Sequence, residues 1–158
     1  MFKKIITLSL ITISLTSCMN NNIDDKKENI TVSQSENLTD EDIKIVEVNG
    51  IRIAVLICFE IRFCDLWRKI QGADIIFVPA LWGKLRKKQL EIISDALAVV
   101  NQAYVIVSNS KNDNMASSSA IITPFGDSYR DDKKELLEIE FDKNLVNKMR
   151  RYMDVGIR

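Results

Sequence analysis

Histidine is absent from all 158 residues. That absence excludes Ser-His and Cys-His catalysis and nearly every catalytic zinc arrangement. A cysteine nucleophile in this chain must therefore take its base from a carboxylate or a lysine. Cysteine itself is scarce: Cys18, Cys58 and Cys64 are the three, with no Cys-x-x-C spacing. They give neither a metal framework nor an obvious disulfide scaffold, and no metal or other cofactor is implied. An excess of one charge is missing too. The 22 basic and 22 acidic residues balance, which removes the electrostatic case for a nucleic-acid partner. The length suits one domain rather than two, and the hydrophobic share of 46% is ordinary for a globular chain.

What is present centres on Ile51 to Phe63, Ile-Arg-Ile-Ala-Val-Leu-Ile-Cys-Phe-Glu-Ile-Arg-Phe. The aliphatic run Ile51 to Ile57, entered through Asn49-Gly50, predicts a buried strand of an α/β sheet. Its end delivers Cys58, Glu60 and Arg62 in quick succession. The carboxyl ends of such strands are where α/β folds gather reactive groups. A thiol beside a carboxylate and a guanidinium has the surroundings of a reactive cysteine. The alternative is a structural core cysteine at a strand end.

Residues 1–18 form a separate unit. Lys3 and Lys4 supply a positive region and Ile5 to Leu15 an apolar core too short to span a bilayer. Leu15-Thr16-Ser17-Cys18 resembles the lipobox of bacterial lipoprotein signals, which implies Cys18 as the lipidated residue. An anchor there would hold the protein on a membrane, on the periplasmic or extracellular side, without crossing it. An ordinary signal peptide, or a start fused to a cytoplasmic domain, is the other reading. Residues 19–42 are rich in Asn, Asp, Glu, Lys and Ser, the composition of a flexible tether.

From Ile43 the texture changes. Ile43, Ile45 and Val48 pair through Asn49-Gly50 with the strand that follows, since Asn-Gly fits a type I′ hairpin turn. Phe63 to Gln71 has helical spacing and stops at Gly72. Asp74 to Pro79 is a second buried strand. Lys84 to Ala103 is a long amphipathic helix with Leu90, Ile93, Leu97 and Val100 on its apolar stripe. The basic residues at its start oppose the helix dipole, so they have a reason outside helix stability or are simply solvated. Tyr104 to Ser108 and Ala120 to Thr123 are further strands, and Pro124-Phe125-Gly126 is a turn. Glu135 to Phe141 alternates apolar and acidic residues like a half-exposed strand. Asp142 caps a last helix to about Tyr152.

These blocks, in this order, resemble the nitrilase or carbon–nitrogen hydrolase superfamily. Asn49 to Phe63 resembles its nucleophile motif, Gly-x-x-Ile-Gly-x-x-Ile-Cys-Tyr-Asp/Glu-x-Arg-Phe. Gly72-Ala73-Asp74-Ile75-Ile76 leading to Pro79-Ala80 resembles the next strand. Asn101-Gln102-Ala103-Tyr104-Val105, with Asn109, is similar to the step behind the site, and Ser119 to Gly126 to the family's Ser-x-Ile-Ile-x-Pro-x-Gly turn. The resemblance runs from Ile43 to Arg158. It implies an α/β fold, a partial four-layer α-β-β-α sandwich, and hydrolysis of a small amide or nitrile by a Glu-Lys-Cys triad. Cys58 is then the attacking thiolate, and Trp82 stands where family members line the substrate pocket. Phe59 is expected to lend its backbone N–H to an oxyanion hole. Glu60 and Arg62 are expected to form a structural ion pair.

The triad glutamate and lysine lie upstream of the cysteine in the family. Here that region reads as leader and tether, where Lys26, Lys27 and Glu36 match only loosely. The expectation is a truncated hydrolase domain over residues 43–158, weak or inactive alone. A complementing N-terminal half on another polypeptide would restore it, and a homodimer is the usual family assembly. A membrane-tethered binding or scaffold protein that reuses the half-domain without catalysis is the alternative. A Cys58–Cys64 disulfide becomes available in an oxidising compartment.

Overall fold

The computed structural model describes residues 4–8 and 43–157. Cys18, the tether 19–42 with Lys26, Lys27 and Glu36, and all but Lys4–Leu8 of the leader lie outside the described residues. Lys4–Leu8 forms a strand, β1. The remaining elements are β2 (Val46–Val48), β3 (Ile51–Val55), α1 (Cys64–Lys69), β4 (Ile75–Ala80), α2 (Lys87–Asn101), β5 (Tyr104–Asn109), β6 (Ala120–Ile122), β7 (Ser128–Arg130), β8 (Leu137–Phe141) and α3 (Lys143–Tyr152). Two 3-10 turns, Cys58–Arg62 and Lys84–Arg86, precede α1 and α2.

Asn49 and Gly50 both take positive φ, 51° and 73°, as a type I′ turn demands, and they join β2 to β3 in an antiparallel hairpin. β3, β4 and β5 run parallel, with α1 and α2 as the crossovers. β6 and β7 add antiparallel strands beyond β5, completing a mixed sheet ordered β2-β3-β4-β5-β6-β7. The side chains alternate between its faces. Ala54, Ile76, Val78, Val105, Val107 and Ile122 meet Leu66 of α1 and Leu90, Leu97 and Ala98 of α2. Ile75, Tyr104, Ile106 and Ile121 point the other way and meet Phe141 of β8 and Val146 of α3. β8 pairs with β1 in a separate antiparallel ladder. The α/β class is thus as the residue pattern predicts, and the layering, with α1 and α2 on one face and β8 with α3 on the other, is as the resemblance implies.

Three local expectations change. β3 stops at Val55, two residues before the predicted end. Val100 is exposed, and Ser94 and Asn101 complete the buried face of α2 instead. The short strand β7, Ser-Tyr-Arg, was not expected; Arg130 ties it to α2 by hydrogen bonds to Glu91 O and Ser94 Oγ and an ion pair with Asp95.

Behind β4, Asp74 is fully buried and joins the sheet to α3. Its carboxylate accepts the Arg52 N–H at 3.0 Å and faces Arg52, Lys143 and Arg150 at 3.4, 3.4 and 3.1 Å. Burial pushes the Asp74 carboxyl up. The Arg52 N–H and the three cations outweigh it and hold the group below the ordinary carboxylate value.

Candidate active site

β3 leads into a sharp elbow. The Leu56 N–H still bonds to Phe77 O at 2.9 Å, but Cys58 turns the chain with φ of 50° and opens the 3-10 turn Cys58–Arg62. A left-handed non-glycine residue is strained, and such residues gather at functional sites. A strained strand-to-helix turn is also how hydrolases thrust a nucleophile out of a sheet. The elbow is pinned on two sides. Ile61 is buried in the main core and its carbonyl accepts the Trp67 indole N–H at 2.9 Å. Glu60 Oε2 accepts the Ile57 N–H at 2.6 Å. Cys58 is partly buried, packed against the core that holds Trp82. The Phe59 N–H has no acceptor among the described residues.

Glu60 and Arg62 do not pair with each other, contrary to the sequence expectation. On a 3-10 turn, residues two apart point in different directions. Glu60 caps the turn, while Arg62 Nη2 donates to Gln89 Oε1 at 2.5 Å. The guanidinium carbon lies 4.6 Å from the Trp82 ring centre and 5.6 Å from that of Phe59. Phe59 and Phe63 stack edge to face at 5.5 Å and both are exposed. Trp82 is 4% exposed, so its ring is a fixed floor.

Asn109, at the end of β5 and 2% exposed, fixes that floor in turn. Its Oδ1 accepts the Trp82 N–H at 2.8 Å, and its Nδ2 donates to Trp82 O and Ser117 O at 3.3 and 2.9 Å. The loop from Ser110 to Ser118 ends in two left-handed serines, Ser117 and Ser118, with φ of 53° and 59°. Ser118 holds its strained geometry by donating its N–H to Asp132 and its hydroxyl to Glu91, both at 2.7 Å. Lys87 pairs with Asp132 at 2.6 Å. Sequence reading missed Glu91, Asp132 and Arg130, which carry no local pattern; the Ser117-Ser118-Ser119 run was the one visible sign of a strained polar loop. A cleft beside Asn109, lined also by Lys111, Ser117, Ser119 and Asp132, has a volume of about 20 Å³. That is enough for about one water.

Cys18 lies outside the described residues, and Cys58 makes no hydrogen bond to a lysine or carboxylate among them. Cys64 is exposed at the start of α1, and both thiols are free. The 3-10 turn that opens at Cys58 advances about 2 Å per residue, putting Cys64 roughly 8 Å or more away. A disulfide needs Cα atoms within about 7 Å, so the anticipated Cys58–Cys64 bridge would require this turn to unwind. No helix among the described residues is long and apolar enough to cross a membrane.

The sequence pattern of the family described as carbon–nitrogen hydrolase matches residues 17–151, most of the chain. The chain belongs to the carbon–nitrogen hydrolase family. The match opens at residue 17 and so takes in the polar stretch 19–42 as well. Among similar proteins, 2-oxoglutaramate amidase of Bacillus subtilis is 34% identical over 86 residues, covering 51% of this chain and 33% of that protein. The hydrolase in the agr operon of Staphylococcus aureus is 30% identical over 115 residues, covering 68% of this chain and 44% of that one. The chain therefore spans less than half the length of these relatives. The fold is similar to that of Saccharomyces cerevisiae Nit3, a nitrilase-superfamily member, with a TM-score of 0.65 at 19% identity over 72% of this chain and 45% of that structure.

Proposed function

We propose that this carbon–nitrogen hydrolase carries the nucleophile of an amidase, with Cys58 as the attacking thiolate and small amides, or nitriles, as substrates. One observation carries the reading: Cys58 occupies a left-handed elbow, partly buried, followed by an N–H with no acceptor among the described residues. In the reaction the sulfur bonds to the amide carbon and the carbonyl oxygen takes up the negative charge. In this reading the Phe59 N–H donates to that oxygen and stabilises its charge. The C–N bond then breaks, the amine takes a proton from the general acid, and ammonia leaves a thioester. Water adds to the thioester, and the acid and free thiolate are released. Glu60 and Arg62 shape the elbow, and Trp82 forms its floor.

The base and the oxyanion-stabilising lysine of the family come, in this reading, from residues outside those described or from a second polypeptide. The names of amidase relatives support the substrate class. Lipidation at Cys18 would anchor the protein on a membrane surface. An exposed apolar area supports a homodimer: Phe125 lies 6.3 Å from Tyr152, and Val99 lies within 3.3 Å of where a Gly126 Cβ would stand. A non-catalytic binding protein is the second reading, favoured by the lack of any lysine or carboxylate bonded to Cys58 among the described residues. Co-expression with the product of the adjacent upstream reading frame, followed by ammonia release from short amides, separates the two. Activity that Cys58→Ala abolishes is expected; a stable complex without activity would favour the binding protein.

A further inference from the structure

The start of α2 carries charges that neither the helix nor the elbow uses. Lys84, Arg86, Lys87 and Lys88 crowd together there, and the first turn of α2 holds no acidic residue. Positive charge at a helix N-terminus opposes the dipole and costs stability. Lys87 is compensated, since it pairs with Asp132 at 2.6 Å. Lys84, Arg86 and Lys88 are exposed and form no ion pair among the described residues. The facing loop, Ser110 to Ser118, has Lys111 and Asp113 and adds no net charge.

Leu85 stands among these cations and is 99% exposed, so it projects from the surface and touches almost nothing of its own chain. Its backbone is held all the same. The Lys84 N–H donates to Asn114 O and the Arg86 N–H to Gly83 O, both at 2.9 Å, and Gly83 bridges to Met115. Just before the turn, Asn109 binds both sides of the Trp82 backbone. An exposed leucine alone says little. A leucine raised on a pinned turn inside a collar of unpaired cations has the composition of an interfacial anchor, with an apolar tip and a basic base.

Shape and charge together indicate what covers it. A protein interface of ordinary size takes in about 20–30 residues a side, with its anchors in pockets. One projecting side chain offers a point, not a face. A fluid bilayer closes round a point: its headgroup phosphates meet the cations while the leucine enters the acyl boundary.

We propose that the Lys84–Lys88 turn docks on an anionic lipid surface, with Leu85 inserted and Lys84, Arg86 and Lys88 on the headgroup phosphates. This goes beyond the reaction at Cys58 and does not depend on it. A lipidated Cys18 would raise the local concentration of lipid for this turn, and the turn would then set the orientation of the domain.

The full-length chain is mixed with vesicles of phosphatidylcholine, alone or with an equal part of phosphatidylglycerol. Binding is read by sedimentation and by peptide-resolved amide hydrogen exchange. Exchange across residues 81–89 is expected to slow on phosphatidylglycerol vesicles only, with α3 as the unchanged reference. Lys84→Gln/Arg86→Gln/Lys88→Gln is expected to lower partitioning to those vesicles about a hundredfold, each cation being worth roughly fivefold. Leu85→Ser is expected to lower it about tenfold. Residues 1–18 are the same in every variant, so the differences belong to the turn. Slowing confined to the N-terminal residues, equal slowing on both vesicle types, or variants that partition like the wild type would overturn the proposal. Partitioning lost in the triple variant but kept in Leu85→Ser would overturn it too, leaving a cationic surface suited to an acidic protein.

Discussion

Cys58 is the one cysteine that takes a left-handed backbone among the described residues. Its φ of 50° is a conformation that costs an L-residue about 1 kcal/mol or more and costs glycine almost nothing. Cys58→Gly is therefore expected to be more stable than Cys58→Ala by about 1 kcal/mol, read from urea unfolding midpoints. The reverse order would mean that the elbow is relaxed. Asp74 gives a second prediction. Its carboxyl is held low in the folded state, so its contribution is present above the unfolded pKa of about 3.9 and is lost as pH falls through the lower folded value. Wild-type stability should drop steeply below about pH 4, with Asp74→Asn flatter there. At pH 7, Asp74→Asn should cost about 3 kcal/mol, because buried Arg150 loses its counter-charge. The motif marked Cys58 as the candidate, since residue types in fixed order survive any detail of geometry, but its left-handed turn was not legible from residue type. The Glu60–Arg62 pairing was misread because sequence proximity does not give direction on a 3-10 turn. There the cap and the Gln89 contact took the two side chains apart.

At the scale of elements, the elbow depends on how β4 and β5 end. Asn109 binds both sides of the Trp82 backbone and the Ser117 carbonyl, so one buried amide sets the floor and the loop together. Asn109→Leu leaves buried Trp82 polar groups without these partners and should cost about 2–4 kcal/mol by thermal unfolding. It should also raise the accessibility of Trp82 to acrylamide quenching; unchanged quenching would show that the floor stands without Asn109. Strands β4 and β5, the hairpin β2–β3 and helix α3 with its Asp142 cap were readable because continuous aliphatic runs, Asn-Gly and an N-cap aspartate each have one dominant structural use. β7 was not readable. It has three residues and is held by Arg130 reaching α2, a long-range tie with no local signature. Val100 was misplaced for a related reason: helix periodicity finds an apolar stripe, whereas packing chose Ser94 and Asn101 for the buried face.

For the molecule as a whole, the mixed sheet buries helices on one face and β8 with α3 on the other. Exposed Ile57, Phe59, Phe63 and Leu81 remain around the elbow. A second apolar area holds Val99, Val100, Phe125 and Tyr152. If that area pairs two copies, Phe125→Ser with Tyr152→Ser should shift sedimentation from dimer to monomer without loss of secondary structure. A chain already monomeric at micromolar concentration would contradict the dimer. The order of blocks made the family legible, while the partner glutamate and lysine were not, because Lys26, Lys27 and Glu36 stand in a polar stretch without a local motif and lie outside the described residues. The central claim is that the Cys58 sulfur is an activated nucleophile. Time-resolved labelling of the full-length chain with a neutral thiol probe at pH 7 tests it most directly. Partly buried Cys58 is expected to react faster than exposed Cys64, and equal or slower labelling of Cys58 would remove its assignment as nucleophile.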